Sequence, residues 1–327
     1  MQTRTQPEGR EPLEGREPPK ILGGFFHEIA KNRLIYAMAL PGLAFFFLFN
    51  YLPMAGIVVA FKNYKFSDGL FGSAWRNPWY QNFEFFFKSG AYVQLTRNTL
   101  LLNTAFIVFG TIFSVVLAIM INELIFRRAK KALQAGILMP YFISWVVVGV
   151  FSYALFNFDY GTINVLLKSL GFQPVNWYND ASLWPPILTV VHIWKNTGYT
   201  SIIYIAALAG IDPSYYEAAR IDGASKFQQI RYINLPQLWP TVTTMTLLSV
   251  GRIMNADFGM FYSIVGQNPM LYPTADVIDT YVYRTLRTLG DVGMSSAVGF
   301  YQSCVAFVLV LGSNWLARRY QPDGSLF

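Results

Sequence analysis

The sequence predicts an all-α integral membrane bundle of six transmembrane helices, and three observations carry that prediction. The 327 residues are 54% hydrophobic and 17% aromatic but only 13% charged, too apolar for a soluble domain of this length. Six apolar runs, at about 34–61, 99–125, 133–158, 186–210, 240–265 and 294–316, each exceed the roughly 20 residues that a hydrocarbon core requires. The net charge is +7, yet the basic residues cluster beside these runs and form no continuous stripe. That pattern marks topology and argues against a nucleic-acid partner.

Each element has its own justification. Residues 1–20 are polar and repeat EGREP at Glu8–Pro12 and Glu14–Pro18, with no apolar face to bury, so a disordered cytoplasmic tail is expected. The tail lacks a signal peptide's apolar core and cleavage site, so it is expected to be retained. Residues 21–327 then form the transmembrane domain. The first run holds Pro41 and Pro53 and is long enough to tilt or kink. After it, Lys62 to Arg97 is polar but rich in rings, among them Phe66, Phe71, Trp75, Trp79 and Phe83. These form either an interfacial belt, the plainer alternative, or a surface that receives a partner.

The second run ends at Glu123 and the cluster Arg127, Arg128, Lys130, Lys131, and the third follows after a short turn. A polar loop from Asp159 to Asp180 leads to the fourth; the sixth is closed by Arg318 and Arg319. Its Cys304 is expected to be a small buried apolar residue, and a single cysteine allows no disulfide or cysteine metal cluster. With the N-terminus cytoplasmic, fifteen basic residues fall on inside segments and eight on outside ones. The asymmetry places both termini, and the segment 211–236, in the cytoplasm.

That segment, IDPSYYEAARIDGASKFQQIRYINLP, is predicted to be helix, bend, helix. Asp212 can N-cap a helix begun by Pro213 at N1, and Gly223 supplies a left-handed stop. Ser225 and Gln228 have capping-box spacing; Phe227, Ile230 and Ile233 share a face, and Pro236 is expected to end the pattern.

Glu217-Ala218-Ala219, Asp222-Gly223-Ala224, Phe227, Ile230 and Leu235-Pro236 resemble the EAA loop of binding-protein-dependent ABC importer permeases. In that family the loop is a cytoplasmic coupling helix docked in a cleft of a separate ATPase. The resemblance implies that Glu217, Ala218, Ala219, Asp222, Gly223, Ala224 and Phe227 couple this chain to such a motor. It implies four kinds of partner: a second homologous permease, two ATP-binding subunits, an extracytoplasmic solute-binding protein and the cargo. No cofactor is expected on this chain, ATP and Mg being used by the partners, and the chain has no G-x-x-x-x-G-K-[ST] phosphate loop. A bacterial inner-membrane location follows from the same resemblance.

Phe61 to Tyr64 with Asn82-Phe83, Gly161 to Asn164, Trp194 to Tyr199 and Asn314 to Leu316 are similar to the polysaccharide-type sugar permeases. Tyr80-Gln81 departs from the Gly-Leu that relatives carry there. Within the group, the resemblance leans toward importers of an acidic polymer such as alginate.

Polar groups at membrane depth are costly and mark a cavity or a partner. His192, Lys195, Asn196 and Tyr199 stand at i, i+3, i+4 and i+7 on the fourth span; Ser249, Arg252, Asn255 and Gly259 line a face of the fifth. The substrate-pathway candidates are His192, Lys195, Asn196, Tyr199, Arg252 and Asn255. Lys195 and Arg252 suit carboxylates of an acidic sugar. The plainer alternative pairs Lys195 with Asp257 or uses it against a neighbouring subunit, and a neutral oligosaccharide is the alternative cargo. A secondary transporter and a structural subunit are the rival functions, neither of which needs an EAA-like loop. With no H-E-x-x-H or G-x-S-x-G motif and only two histidines, an enzyme is poorly supported.

Overall fold

The structure, a computed structural model, describes residues 31–320, with side chains as far as Trp315. The tail expected over 1–20 lies outside the described residues. Among the described residues every named element is helical, and the only extended pairing is an isolated bridge between Lys62 and Trp75.

The chain divides into two compact units, up to Gly56 and from Ile57. In the first, helix α1 (Arg33–Phe46) buries none of its residues. A π turn over Phe47–Tyr51 follows, in which the Leu52 N–H reaches the Phe47 carbonyl. The widened turn accommodates Pro53, which has no N–H to donate and whose ring would crowd a regular helix.

The second unit carries α2 (Gln81–Lys88), α3 (Ala91–Asn122), α4 (Arg127–Phe142), α5 (Trp145–Phe156), α6 (Thr162–Ser169) and α7 (Trp184–Ala209). It continues with α8 (Pro213–Ile221), α9 (Lys226–Gln229), α10 (Leu235–Val250), α11 (Phe258–Ile264), α12 (Ile278–Arg287) and α13 (Val292–Tyr320). Helices α3 and α7 form its axis; α4 packs on α7, α11 on α5, and α12 on α13. Between helices in a bilayer the hydrophobic effect gives little, so close backbone approach and hydrogen bonds hold them together. Gly198 of α7 shows this directly: a Cβ there would lie 1.8 Å from the Ile137 carbonyl oxygen of α4.

Among the described residues three helices are long and apolar enough to cross a bilayer, Arg33–Phe61, Ala91–Asn122 and Val292–Trp315; a fourth qualifies if α4 and α5 count as one bent span. The run expected at 133–158 is therefore not one straight helix. It breaks between Phe142 and Trp145 and turns by 91°, where Pro140 weakens the end of α4 and the Ser144 hydroxyl caps α5 through the Val147 N–H. The run at 240–265 is also broken, α10 ending at Val250 and α11 starting at Phe258. The second run begins at Ala91, earlier than 99, because its polar first turns are used. Gln94 and Asn98 donate to the Tyr272 carbonyl at 2.8 and 3.3 Å, and Asn98 also to that of Asp276 at 3.1 Å.

Pro236 does not end the helix either. A second π turn, Ile230–Asn234, joins α9 to α10, with the Leu235 N–H on the Ile230 carbonyl, the same five-residue step that precedes Pro53. Cys304, expected to be buried, is exposed.

Candidate functional site

The segment 211–236 forms a bend closed by its own backbone. Asp212 accepts the Ser214 N–H at 2.9 Å, and this bond, reinforced by the Ser214 hydroxyl, holds its carboxyl below the usual carboxylate range. At the other end of α8, Gly223 has φ 76°; its N–H reaches the Arg220 carbonyl and the Ala224 N–H reaches that of Ala219 at 2.8 Å. This pair of bonds is a Schellman motif, and a left-handed residue is its requirement. Ser225 and Gln228 make both bonds of a capping box, at 2.7 and 3.3 Å.

Two side-chain contacts brace the bend. Tyr216 donates its hydroxyl to Asn234 at 2.6 Å, and Lys226 pairs at 2.7 Å with Glu123, the residue that follows α3. Glu217, Ala218, Asp222, Gly223 and Phe227 are exposed, with Ala219 and Ala224 half-buried. Ile221 is 87% exposed and Phe227 70%, an apolar edge that no described residue covers.

A second arrangement lies between α3, α7 and the break after α10. A polar cavity of about 260 Å³ is lined by Asn103, Thr111 and Ser114, by His192, Asn196 and Thr200, and by Ser249, Arg252 and Asn255. The His192 ring stacks on Phe106 at 4.3 Å, and its buried Nδ1 has no partner among the described residues. Asn103 donates to the Ile253 carbonyl at 2.9 Å, which ties the break to α3. Arg252 is exposed and forms no ion pair among the described residues.

Four of the six pathway candidates therefore meet: His192, Asn196, Arg252 and Asn255. The other two do not line the cavity. Tyr199 stacks on Tyr141 at 4.3 Å, and Lys195 is 5% exposed, its ammonium donating to the carbonyls of Pro140, Tyr141 and Ile143 at 3.3, 2.7 and 2.5 Å. A set at i, i+3, i+4 and i+7 is broad enough to be shared between two neighbours, and here the cavity takes one side and α4 the other. Nor does Lys195 form an ion pair with Asp257, which accepts Trp145 Nε1–H at 2.7 Å and caps α11. Gly259 also faces Trp145, not the cavity.

Sequence reasoning missed what anchors the break. Asp279 of α12 accepts the Ala256 N–H at 2.9 Å and Gln302 Nε2–H at 3.2 Å, and its burial raises its carboxyl above the usual range. Its only sequence signal is a carboxylate in the first turn of a short helix. A larger cavity of about 910 Å³ beside Phe109, Phe113, Pro185 and Trp194 is mainly apolar.

Residues 110–322 match the family described as "Binding-protein-dependent transport system inner membrane component". Protein LplB of Bacillus subtilis (strain 168) is 33% identical over 94% of this chain and 97% of its own. The polygalacturonan/rhamnogalacturonan transport system permease protein YteP of the same organism is 32% identical over 91% of each. Among solved structures, a bacterial alginate ABC transporter, in complex with an alginate pentasaccharide-bound periplasmic protein, contains a chain with a TM-score of 0.80 and 33% identity. The match covers 90% of this chain and 97% of that one. With the all-helical unit, its membrane-length helices and these matches together, the chain belongs to the inner-membrane permease components of binding-protein-dependent ABC transport systems.

Proposed function

We propose that this chain forms half of the translocation pathway of an ATP-driven importer of oligo- or polysaccharide, with an acidic polymer as its cargo. The observation that carries the cargo class is Arg252, the cation of a polar cavity whose guanidinium has no carboxylate partner among the described residues. Amides and hydroxyls around it match sugar hydroxyls, and a guanidinium matches a uronate carboxylate in a paired, charge-assisted bond. Similarity to a polygalacturonan/rhamnogalacturonan permease and to a transporter "involved in the import of the acidic polysaccharide alginate" supports the same reading.

The family supports the remaining parts of the proposal. The chain spans the membrane six times with both termini in the cytoplasm, counting the bent pair α4 and α5, the helix α7 and the broken α10 and α11 as spans. A second homologous permease completes the pathway, two ATP-binding subunits use ATP and Mg, and a solute-binding protein delivers cargo. The apolar edge at Ile221 and Phe227, with Glu217 beside it, docks on the ATPase. Closure of the ATPase pair moves the bend as a lever, and the spans alternate between inward-open and outward-open arrangements.

The test is ATPase stimulation in the reconstituted four-part complex by binding protein loaded with oligouronates or with neutral oligosaccharides. Oligouronates are expected to stimulate, and Arg252→Gln is expected to raise their half-stimulating concentration by about 10-fold or more, while leaving any neutral response unchanged. Equal stimulation by neutral sugars, unaffected by Arg252→Gln, would assign a neutral cargo. Solute movement by the chain without ATPase subunits would assign a secondary transporter.

A further inference from the structure

Lys195 is buried on α7, on neither the cavity nor the bend at Gly223. It closes the sharp turn between α4 and α5, taking the carbonyls of Tyr141 and Ile143 at the end of α4 and sharing that of Pro140 with the Ile143 N–H. It also lies 5.1 Å from the centre of the Trp145 ring, at the start of α5. Trp145 donates its indole N–H to Asp257 at 2.7 Å, and Asp257 Oδ1 accepts the Met260 N–H at the start of α11. Asp257 is two residues from Asn255 and five from Arg252, both on the cavity.

We infer that Lys195 is a positioning residue: through Trp145 and Asp257 it fastens the break at 143–144 to the break at 251–257, and so sets where Arg252 and Asn255 stand. The two breaks then move as one piece. A helix end left with orphan carbonyls inside a bilayer has no water to turn to, so a cation supplied from α7 is both the cap and the tether. The indole completes the link because its ring faces the ammonium while its N–H faces the carboxylate.

The inference rests on the proposed pathway for its consequence in transport, but not for its structural test. Hydrogen exchange of the assembled, detergent-solubilised complex reads both breaks directly. Lys195→Met is expected to speed exchange about 10-fold at 140–147 and at 251–260 together. Lys195→Arg is expected to restore both segments. Trp145→Phe keeps an aromatic face for the ammonium but loses the donor, and is expected to speed exchange at 251–260 alone; it remains informative if Lys195→Met fails to assemble. In cargo-stimulated ATPase, Trp145→Phe should raise the half-stimulating cargo concentration several-fold with the maximal rate kept, a split that general destabilisation would not give. Faster exchange confined to 140–147 in Lys195→Met, or unchanged exchange at 251–260 in Trp145→Phe, would overturn the link. A wild-type complex that no cargo stimulates would sink the proposed function and leave the exchange test standing.

Discussion

The chain contains two sharp turns between helices that are closed by opposite means. At Gly223 the turn is closed locally: a Schellman pair, a capping box and an N-cap carboxylate lie within 17 residues, and the side chains around them face outward. At Ile143 the turn is closed from a distance, by an ammonium 52 residues along the chain that has no exposure to spare. A locally closed turn keeps its shape while its surface is free to meet a partner. A remotely closed turn fixes how separate helices sit, and its residues are used up in doing so.

The largest expected effect lies at the remote turn. Lys195→Met removes a buried ammonium from three carbonyls, two of which then lack a donor, and is expected to cost about 3 kcal/mol, read as a lowered melting temperature of the complex, with Lys195→Arg recovering much of it. At Gly223 an added Cβ meets nothing within 4 Å, so Gly223→Leu is expected to cost mainly the left-handed backbone, about 1–2 kcal/mol. Its expected signature is different: membrane insertion is kept while uptake and stimulated ATPase fall together. Unchanged uptake would remove Gly223 from the coupling role. Ser225→Ala loses one bond of the capping box, about 1 kcal/mol, and is expected to loosen α9 with a smaller loss of coupling.

Two carboxylates sharpen the contrast through pH. The Asp212 carboxyl, lowered by the Ser214 bonds, contributes stability above its unfolded value of about 4 that is lost as pH falls through its folded value. The Asp279 carboxyl, raised by burial, behaves inversely: stability declines as pH rises from about 4 through its raised value. Asp279→Asn is expected to abolish that decline in a thermal-melt series from pH 4 to 8, and Asp212→Asn is expected to leave the neutral range flat.

What was legible in the sequence follows the same division. The caps at Asp212, Gly223 and Ser225 were legible because their partners lie within a few positions, and the family resemblance reached the right class through the same stretch. Apolar runs located most helices but not their breaks, since Pro140 and Pro236 look alike in a sequence. One stands next to a 91° turn and the other is absorbed by a π turn, an outcome decided by what packs alongside. The role of Lys195 was hidden because its partners are backbone carbonyls, which carry no residue identity. Asn164, quoted as part of a permease-like motif, is another such case. It is 1% exposed, and its amide donates to the Val175 carbonyl at 2.9 Å and accepts the Val175 N–H and Trp177 Nε1–H at 3.0 Å.

If the exposed bend receives force from a separate motor, as proposed, it must touch that motor. Photo-crosslinkers placed at Glu217 and, for contrast, at Phe66 in the complete complex test it most directly. Capture of the ATP-binding subunit from position 217 and not from position 66, with a yield that changes on adding ATP, is the predicted result. No capture from position 217, or equal capture from both, would contradict it.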